Sequence, residues 1–315
     1  MLQFIKDTTV IPFMKIKGTV EILCLGLVLA SIASMCIKGL NWGLDFTGGI
    51  VVETHYTEPM DLEQVRQAYA NEGIEGVVQH FGSTRDVMIR VAPKEDLNQQ
   101  DATHRIESAS RKLDPNYSLT RSEYVGPSVG EELVQNGILA IVVSLIAILI
   151  YIAMRFEWRM ATGAVISLAY DVFVVMGVFS FWQIEYDLTV LAAVLTVVGY
   201  SLNDKIVVFD RIRENASKLP HDMSMDRLFD VSLTQTLSRT IITSGTTLIT
   251  VFSLLIFGGD MIYGFSLALV VGIVFGTISS IYVASTWALL LKIERKNLIP
   301  KKIDKKEIEM ESMDD

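Results

Sequence analysis

A chain of 315 residues that is half hydrophobic, with a mean hydropathy of +0.40, is more apolar than a soluble domain. Its charge is unevenly placed: long windows carry none, while the stretch from Lys38 to Glu132 is dense in it, which argues for a membrane part joined to a water-exposed part. The net charge of −9, with aromatics in apolar windows rather than among Lys and Arg, argues against nucleic-acid binding.

Residues 1–17 are short and basic (Lys6, Lys15, Lys17) and read as a cytoplasmic N-terminus. Val20 to Ile37 is an apolar run whose one charge, Glu21, stands at its start, and it is about as long as a span requires, so 18–38 is expected to be the first transmembrane helix. No clean small-x-small cleavage site follows it, which disfavours a cleaved signal peptide. Both cysteines, Cys24 and Cys36, lie in this run. On one helix they are roughly 18 Å apart, too far to bridge each other.

Residues 39–133 read as an α+β domain outside the membrane. Ile50–Tyr56 is strand-like, and Asp61–Asn71 is helix-like with Leu62, Val65 and Ala68 on one face. Gly76–Phe81 and Asp86–Val91 predict a hairpin around Gly82-Ser83-Thr84. Asp96–Lys112 is helix-like again and Ser118–Val125 is a last strand. The order β-α-β-β-α-β is that of a ferredoxin-like split βαβ unit, with another small α+β sandwich as the alternative.

Residues 134–291 hold five more spans: Ile138–Met154, Met160–Trp182, Leu188–Phe209, Ile241–Phe257, and an uncharged stretch from Met261 to Leu291 that predicts a tilted or extended helix. The fold class expected is therefore a polytopic α-helical membrane protein of six transmembrane helices, with a small α+β domain between helices 1 and 2. Arg155 and Arg159, the segment from Arg211 to Arg239, and the start of the charged tail at 292–315 are all basic, whereas 183–187 and 258–260 hold no Lys or Arg. The positive-inside rule then puts both termini in the cytoplasm and 39–133 on the opposite side.

A carboxylate in mid-span costs about 2.5–3.5 kcal/mol on insertion scales, so each one needs a reason. Asp171 sits near the middle of the third span and Asp204 deep in the fourth, after Ser201-Leu202-Asn203. Arg239 precedes the fifth span, and Thr240, Thr243, Ser244 and Thr247 follow it on one helical face. A carboxylate between an apolar interior and an arginine can take up and release a proton; Asp, Asn and hydroxyl oxygens can also hold Na⁺. The competing readings are structural: a local Asp204–Lys205 pair with the lysine snorkelling to the surface, Arg239 as a basic anchor, and the hydroxyl face as packing glue. In the sixth span Gly264, Ala268, Gly272, Gly276, Ser280 and Ala284 recur every four residues, a face on which another helix can pack closely. Gly48-Gly49 is not followed by Lys-Ser/Thr, and the four histidines are isolated in sequence, so neither a nucleotide loop nor a metal cluster is indicated.

Four motifs in order carry a resemblance. Gly43-Leu44-Asp45-Phe46-Thr47-Gly48-Gly49 follows the first span and Gly126-Pro127-Ser128-Val129-Gly130 precedes the second. Val198-Gly199-Tyr200-Ser201-Leu202-Asn203-Asp204 continues to Phe209-Asp210-Arg211-Ile212-Arg213-Glu214-Asn215. Ser232-Leu233-Thr234-Gln235-Thr236-Leu237-Ser238-Arg239-Thr240 leads into the fifth span. Together they resemble the SecF family, the smaller partners of SecD in bacterial protein export, over nearly the whole chain up to the tail. The resemblance implies half of an RND-superfamily transporter and no enzyme. It implies SecD, the SecYEG channel, the accessory subunit YajC, unfolded preproteins and membrane lipid as partners. It also implies a multi-pass place in the bacterial inner membrane, with 39–133 periplasmic. The proton or sodium motive force would draw preproteins out of the channel after ATP-driven insertion by SecA, with no cofactor and with H⁺ or Na⁺ as coupling ion. It makes Asp204 and Arg239 the leading ion-coupling residues; Asp171, Asn203, Ser201, Thr243 and Ser244 complete the candidate set. Two departures stand out: Tyr170, where many relatives have His, and the charged Lys205, where a small polar residue is common. A non-conducting scaffold and half of a small-molecule exporter are the rival readings, the latter disfavoured by the length of the chain.

Overall fold

The structure, a computed structural model, describes residues 10–81, 83–92, 99–220 and 222–298. The Lys6 stretch, the hairpin glycine Gly82, the expected helix start at Asp96, His221 and the tail from residue 299 lie outside the described residues.

A 3₁₀ turn (Phe13–Ile16) leads into α1 (Lys17–Lys38). Then come β1 (Asn41–Trp42), α2 (Leu44–Thr47), β2 (Gly49–His55), α3 (Leu62–Asn71), β3 (Val77–Phe81), β4 (Ser83–Val91), α4 (Gln99–Leu113) and β5 (Ser118–Val125). The rest is α5 (Pro127–Arg155), α6 (Trp158–Trp182), β6 (Glu185–Tyr186), α7 (Leu188–Lys218), α8 (Met225–Phe257), α9 (Asp260–Ile281), α10 (Val283–Leu290) and α11 (Arg295–Leu298). Six stretches among the described residues are long and apolar enough to cross a bilayer, in the order the hydropathy predicts. This is a multi-pass membrane protein.

Several helices outrun their apolar windows. The second span was expected over Ile138–Met154 and the fifth over Ile241–Phe257, yet α5 begins at Pro127 and α8 at Met225. Helix α7 continues past Phe209 to Lys218, its extension held by Glu214 accepting from Arg211 and Lys218, each at 2.6 Å. A hydropathy window sees the apolar core of a helix and stops where such polar turns begin. The long sixth stretch is not one unbroken helix: α9 ends at Ile281, Tyr282 takes φ −100°, and α10 resumes at Val283.

The chain divides into two compact units: residues 41–143 with 185–191, and the remaining described residues. The first contains a four-stranded antiparallel sheet of order β3-β4-β2-β5. Central β2 is buried at six of its seven positions because both faces are covered. Ile50 and Val52 join Val65, Tyr69, Ile89 and Ile106 in one cluster, while Val51 joins Leu44 and Met88 in another. Asp61 caps α3 by accepting from Glu63 N at 3.0 Å. The Tyr56 and Tyr69 hydroxyls meet Ser110 Oγ at 3.0 and 3.1 Å, and burial pushes the Tyr69 hydroxyl well above the usual phenol range.

Asp114 ties the end of α4 to the loop after β2. It accepts from Thr57 N at 2.8 Å, Thr57 Oγ1 at 2.7 Å and Asn116 N at 2.8 Å, and these bonds hold its carboxyl below the ordinary value. Such a group favours the folded unit above the ordinary aspartate range, and the contribution is lost as pH falls through the lowered value. Thermal melts of the whole chain are therefore expected to lose less midpoint temperature on acidification in Asp114→Asn than in wild type. Equal losses would show that these bonds contribute nothing.

The second unit sorts its spans by burial. The most apolar windows of α6, α7 and the α9–α10 stretch are each 56% buried, against 11%, 11% and 17% for α1, α5 and α8. Spans three, four and six therefore form the centre, and the others keep broad apolar faces such as those of Leu23, Leu145 and Ile249. The small-residue face of α9 makes the close approach possible. A Cβ on Gly272 would stand 2.2 Å from a Val197 methyl of α7. Gly272→Val is accordingly expected to destabilise the bundle by about 1–3 kcal/mol, read as a lower melting midpoint in detergent. An unchanged midpoint would mean that α7 and α9 are not closely packed.

Candidate ion-coupling site

The site lies where α6, α7 and α9 meet. Asp171 of α6 is fully buried, and so is Lys205 of α7, with Nζ 3.0 Å from Asp171 Oδ2. Ser201, one turn earlier on α7, donates to the same Oδ2 at 2.6 Å, and Lys205 Nζ also contacts Ser201 Oγ and, at 3.4 Å, its carbonyl oxygen. Gly276 of α9 leaves the room: a Cβ there would lie 3.0 Å from Ser201 Oγ and 3.8 Å from Asp171 Oδ2. Lys205 thus does not snorkel. It turns inward and pairs with the acid of the neighbouring span rather than with Asp204, which corrects the local-pair reading of Asp204-Lys205.

Asp204 is 5% exposed. Among the described residues its carboxylate makes no direct hydrogen bond or ion pair; Lys205 and Arg239 act on it only through space. Arg239 is exposed and contacts no carboxylate among the described residues. Two bonds fix the register of α8 against α7: Tyr200 Oη to Thr247 Oγ1 at 3.3 Å and Asn215 Nδ2 to Ser232 Oγ at 2.9 Å. In that antiparallel register Thr243 lies opposite Asp204, and Arg239 about one turn nearer the Lys218 end.

The expected residues are thus not all gathered in one place. Asp171 and Ser201 share a cluster with Lys205, while Asp204 stands apart with Thr243 opposite. Thr243 bonds its own helix, at Arg239 O and Thr240 O (2.9 and 3.1 Å). Ser244 reaches across to Thr277 of α9 at 3.0 Å. Asn203 is exposed and outside both groups. Tyr170 packs against Cys24 of α1 and Val174. Three charges in close quarters leave one carboxylate without a contact cation: Lys205 neutralises Asp171, and Asp204 remains.

A second constellation escaped the sequence reading. β1 and β6 form a parallel bridge, Asn41 with Glu185 and Trp42 with Tyr186. Arg90 pairs with Glu185 at 3.0 Å and donates to Trp42 O at 2.6 Å. Asp45 Oδ2 caps α7 by accepting from Leu188 N at 3.0 Å. Gly43 fits against Asp187, where a Cβ would meet Asp187 Cβ at 2.9 Å, and Gly48 and Gly49 take φ of 64° and 112°, open to glycine. The Gly43–Gly49 motif therefore clamps the connection between the third and fourth spans onto the sheet-bearing unit. Burial pushes the Glu185 carboxyl up, with Arg90 opposing. Two-residue strands carry no periodic signal, so no pattern in the sequence announces this joint.

The family model described as "Protein export membrane protein SecD/SecF, C-terminal" matches residues 105–294, and "SecD/SecF GG Motif" matches 33–60. The chain belongs to the SecF side of the SecD/SecF protein export family. Among its SecF relatives, "Protein translocase subunit SecF" of Vibrio alginolyticus is 49% identical, covering 99% of this chain and 100% of that one. The protein of the same description from Escherichia coli O157:H7 is 45% identical, over 89% and 87%. The crystal structure of SecDF from Thermus thermophilus, described as a translocon-associated membrane protein, superposes with a TM-score of 0.81 at 35% identity over 92% of this chain. A SecDF structure in a super-membrane-facing form gives 0.69 at 35% identity over 94%. This chain spans 40% of each SecDF chain.

Proposed function

We infer that this chain is the SecF-type half of an ion-driven unit that assists preprotein translocation through the SecYEG channel, with SecD as the other half. The observation that carries the reading is Asp204, a carboxylate 5% exposed in the fourth span with no direct partner among the described residues. A span that only anchors a domain has no use for it. That the chain corresponds to 40% of each SecDF chain supports SecD as the missing remainder; YajC and unfolded preproteins are assigned on the family resemblance.

The sheet order β3-β4-β2-β5 with α3 and α4 supports a ferredoxin-like reading of the 39–133 domain. The basic segments around Arg155 and Arg211–Lys218, against loops 183–187 and 258–260 without Lys or Arg, support an inner-membrane orientation with both termini cytoplasmic and that domain periplasmic. Uptake of an ion at Asp204 shifts α7 against α8 and α9, and the clamp at Glu185 and Asp45 passes that shift to the outer domain. The pair works without catalytic groups or a bound cofactor.

Secretion in cells carrying this chain as their SecF tests the reading. Wild type is expected to restore export, while Asp204→Asn and Arg239→Ala, present at wild-type level, do not. If both variants restore export and only deletion fails, the chain is a scaffold.

A further inference from the structure

We propose that the Lys205 ammonium permanently occupies an oxygen cage that would otherwise take Na⁺, and so leaves the proton as the ion to which this chain responds. The neighbours of Nζ are all oxygens from two elements: Asp171 Oδ2 at 3.0 Å, the Ser201 carbonyl at 3.4 Å and Ser201 Oγ. The other carboxylate oxygen, Asp171 Oδ1, is buried and has no hydrogen-bond partner. Carboxylate, carbonyl and hydroxyl oxygens without nitrogen or sulfur are the donors a hard cation takes. The bare Cα of Gly276 forms the wall beside Ser201 and Asp171, where even a Cβ would stand only 3.0 Å from Ser201 Oγ, so α9 closes tightly on the cage.

The lysine is tethered four residues after Ser201 on the same helix and is fully buried, so its charge reaches back one turn into the cage. The charged groups that act on it are Asp171, from α6, and Asp204, from its own helix. With Lys205 in place a sodium ion would add a second cation beside one carboxylate, in a buried setting that screens the two charges weakly. Asp204, which makes no hydrogen bond among the described residues, keeps a place for a proton. A proton needs one oxygen, whereas an alkali cation needs several.

The assignment of an ion to transport rests on the coupling reading above; the occupancy of the cage does not. Binding of radioactive sodium to the purified full-length chain in lipid nanodiscs, with choline chloride holding ionic strength constant, separates the two. Wild type is expected to bind no sodium saturably. Lys205→Ala and Lys205→Ser, checked for helical content and a single elution peak, are expected to bind it saturably, and adding Asp171→Asn to either is expected to abolish that binding. Saturable binding by wild type that Asp171→Asn removes would overturn the proposal, whether or not the Lys205 variants fold. So would folded Lys205 variants that bind none. Export in vesicles is read separately: if Asp204→Asn exports like wild type, the coupling reading fails while the sodium isotherms still decide the cage.

Discussion

Asp204→Asn is expected to remove the gradient-dependent share of preprotein export while ATP-driven insertion continues. The substitution keeps the size of the side chain and its place on α7 but cannot cycle between charged and neutral forms. One elementary charge moved through 100 mV yields about 2.3 kcal/mol, equivalent to roughly 50-fold in an equilibrium, and that sets the scale of the loss. Because Asp204 makes no direct hydrogen bond or ion pair among the described residues, the neutral variant strands no contacting group, and its melting midpoint should stay near wild type. A functional loss without a stability loss marks a working carboxylate. Loss of both would make Asp204 structural.

The opposite signature is expected at Asp171. Its carboxylate is the contact partner of the fully buried Lys205. Asp171→Asn leaves an ammonium in the apolar interior with only hydroxyl, carbonyl and amide oxygens to face, and breaking a buried pair from one side costs about 3–5 kcal/mol. Denaturation in detergent should show that loss. The double substitution Asp171→Leu with Lys205→Met should recover most of it, since replacing a buried pair by apolar groups of similar volume is often neutral or stabilising. If Asp171→Asn alone melts like wild type, the pair does not hold the bundle together, and Lys205 is not confined as the structure places it.

The spans, their order and the strands of the sheet-bearing unit were legible because each rests on a local run or pattern of apolar residues. Residues Ser118–Val125 read as a strand, and β5 occupies that range; Asp61 announces the start of α3. Asp171 and Asp204 were legible because charge is conspicuous in an apolar run, whereas Glu21, at the edge of the first span, passed unnoticed. What the sequence could not reveal was pairing. Asp204 and Lys205 are adjacent in sequence, but successive residues on a helix point about 100° apart, so one faces the ion pair of α6 and the other turns aside. The hydroxyl face of α8 was visible as a pattern, whereas the division of its bonds between its own carbonyls, Tyr200 and Thr277 depends on which helices lie beside it. The clamp of Arg90, Glu185 and Asp45 joins residues about 50 to 140 positions apart through two-residue strands, too short for any period to register.

The most direct test is preprotein movement in inverted membrane vesicles carrying this chain with SecD and the channel. A preprotein is first arrested part-way, ATP is then removed, and a proton gradient is imposed alone. The coupling account predicts that wild-type vesicles complete translocation under the gradient and that Asp204→Asn vesicles remain arrested. Equal completion by both, or arrest of both, would contradict it.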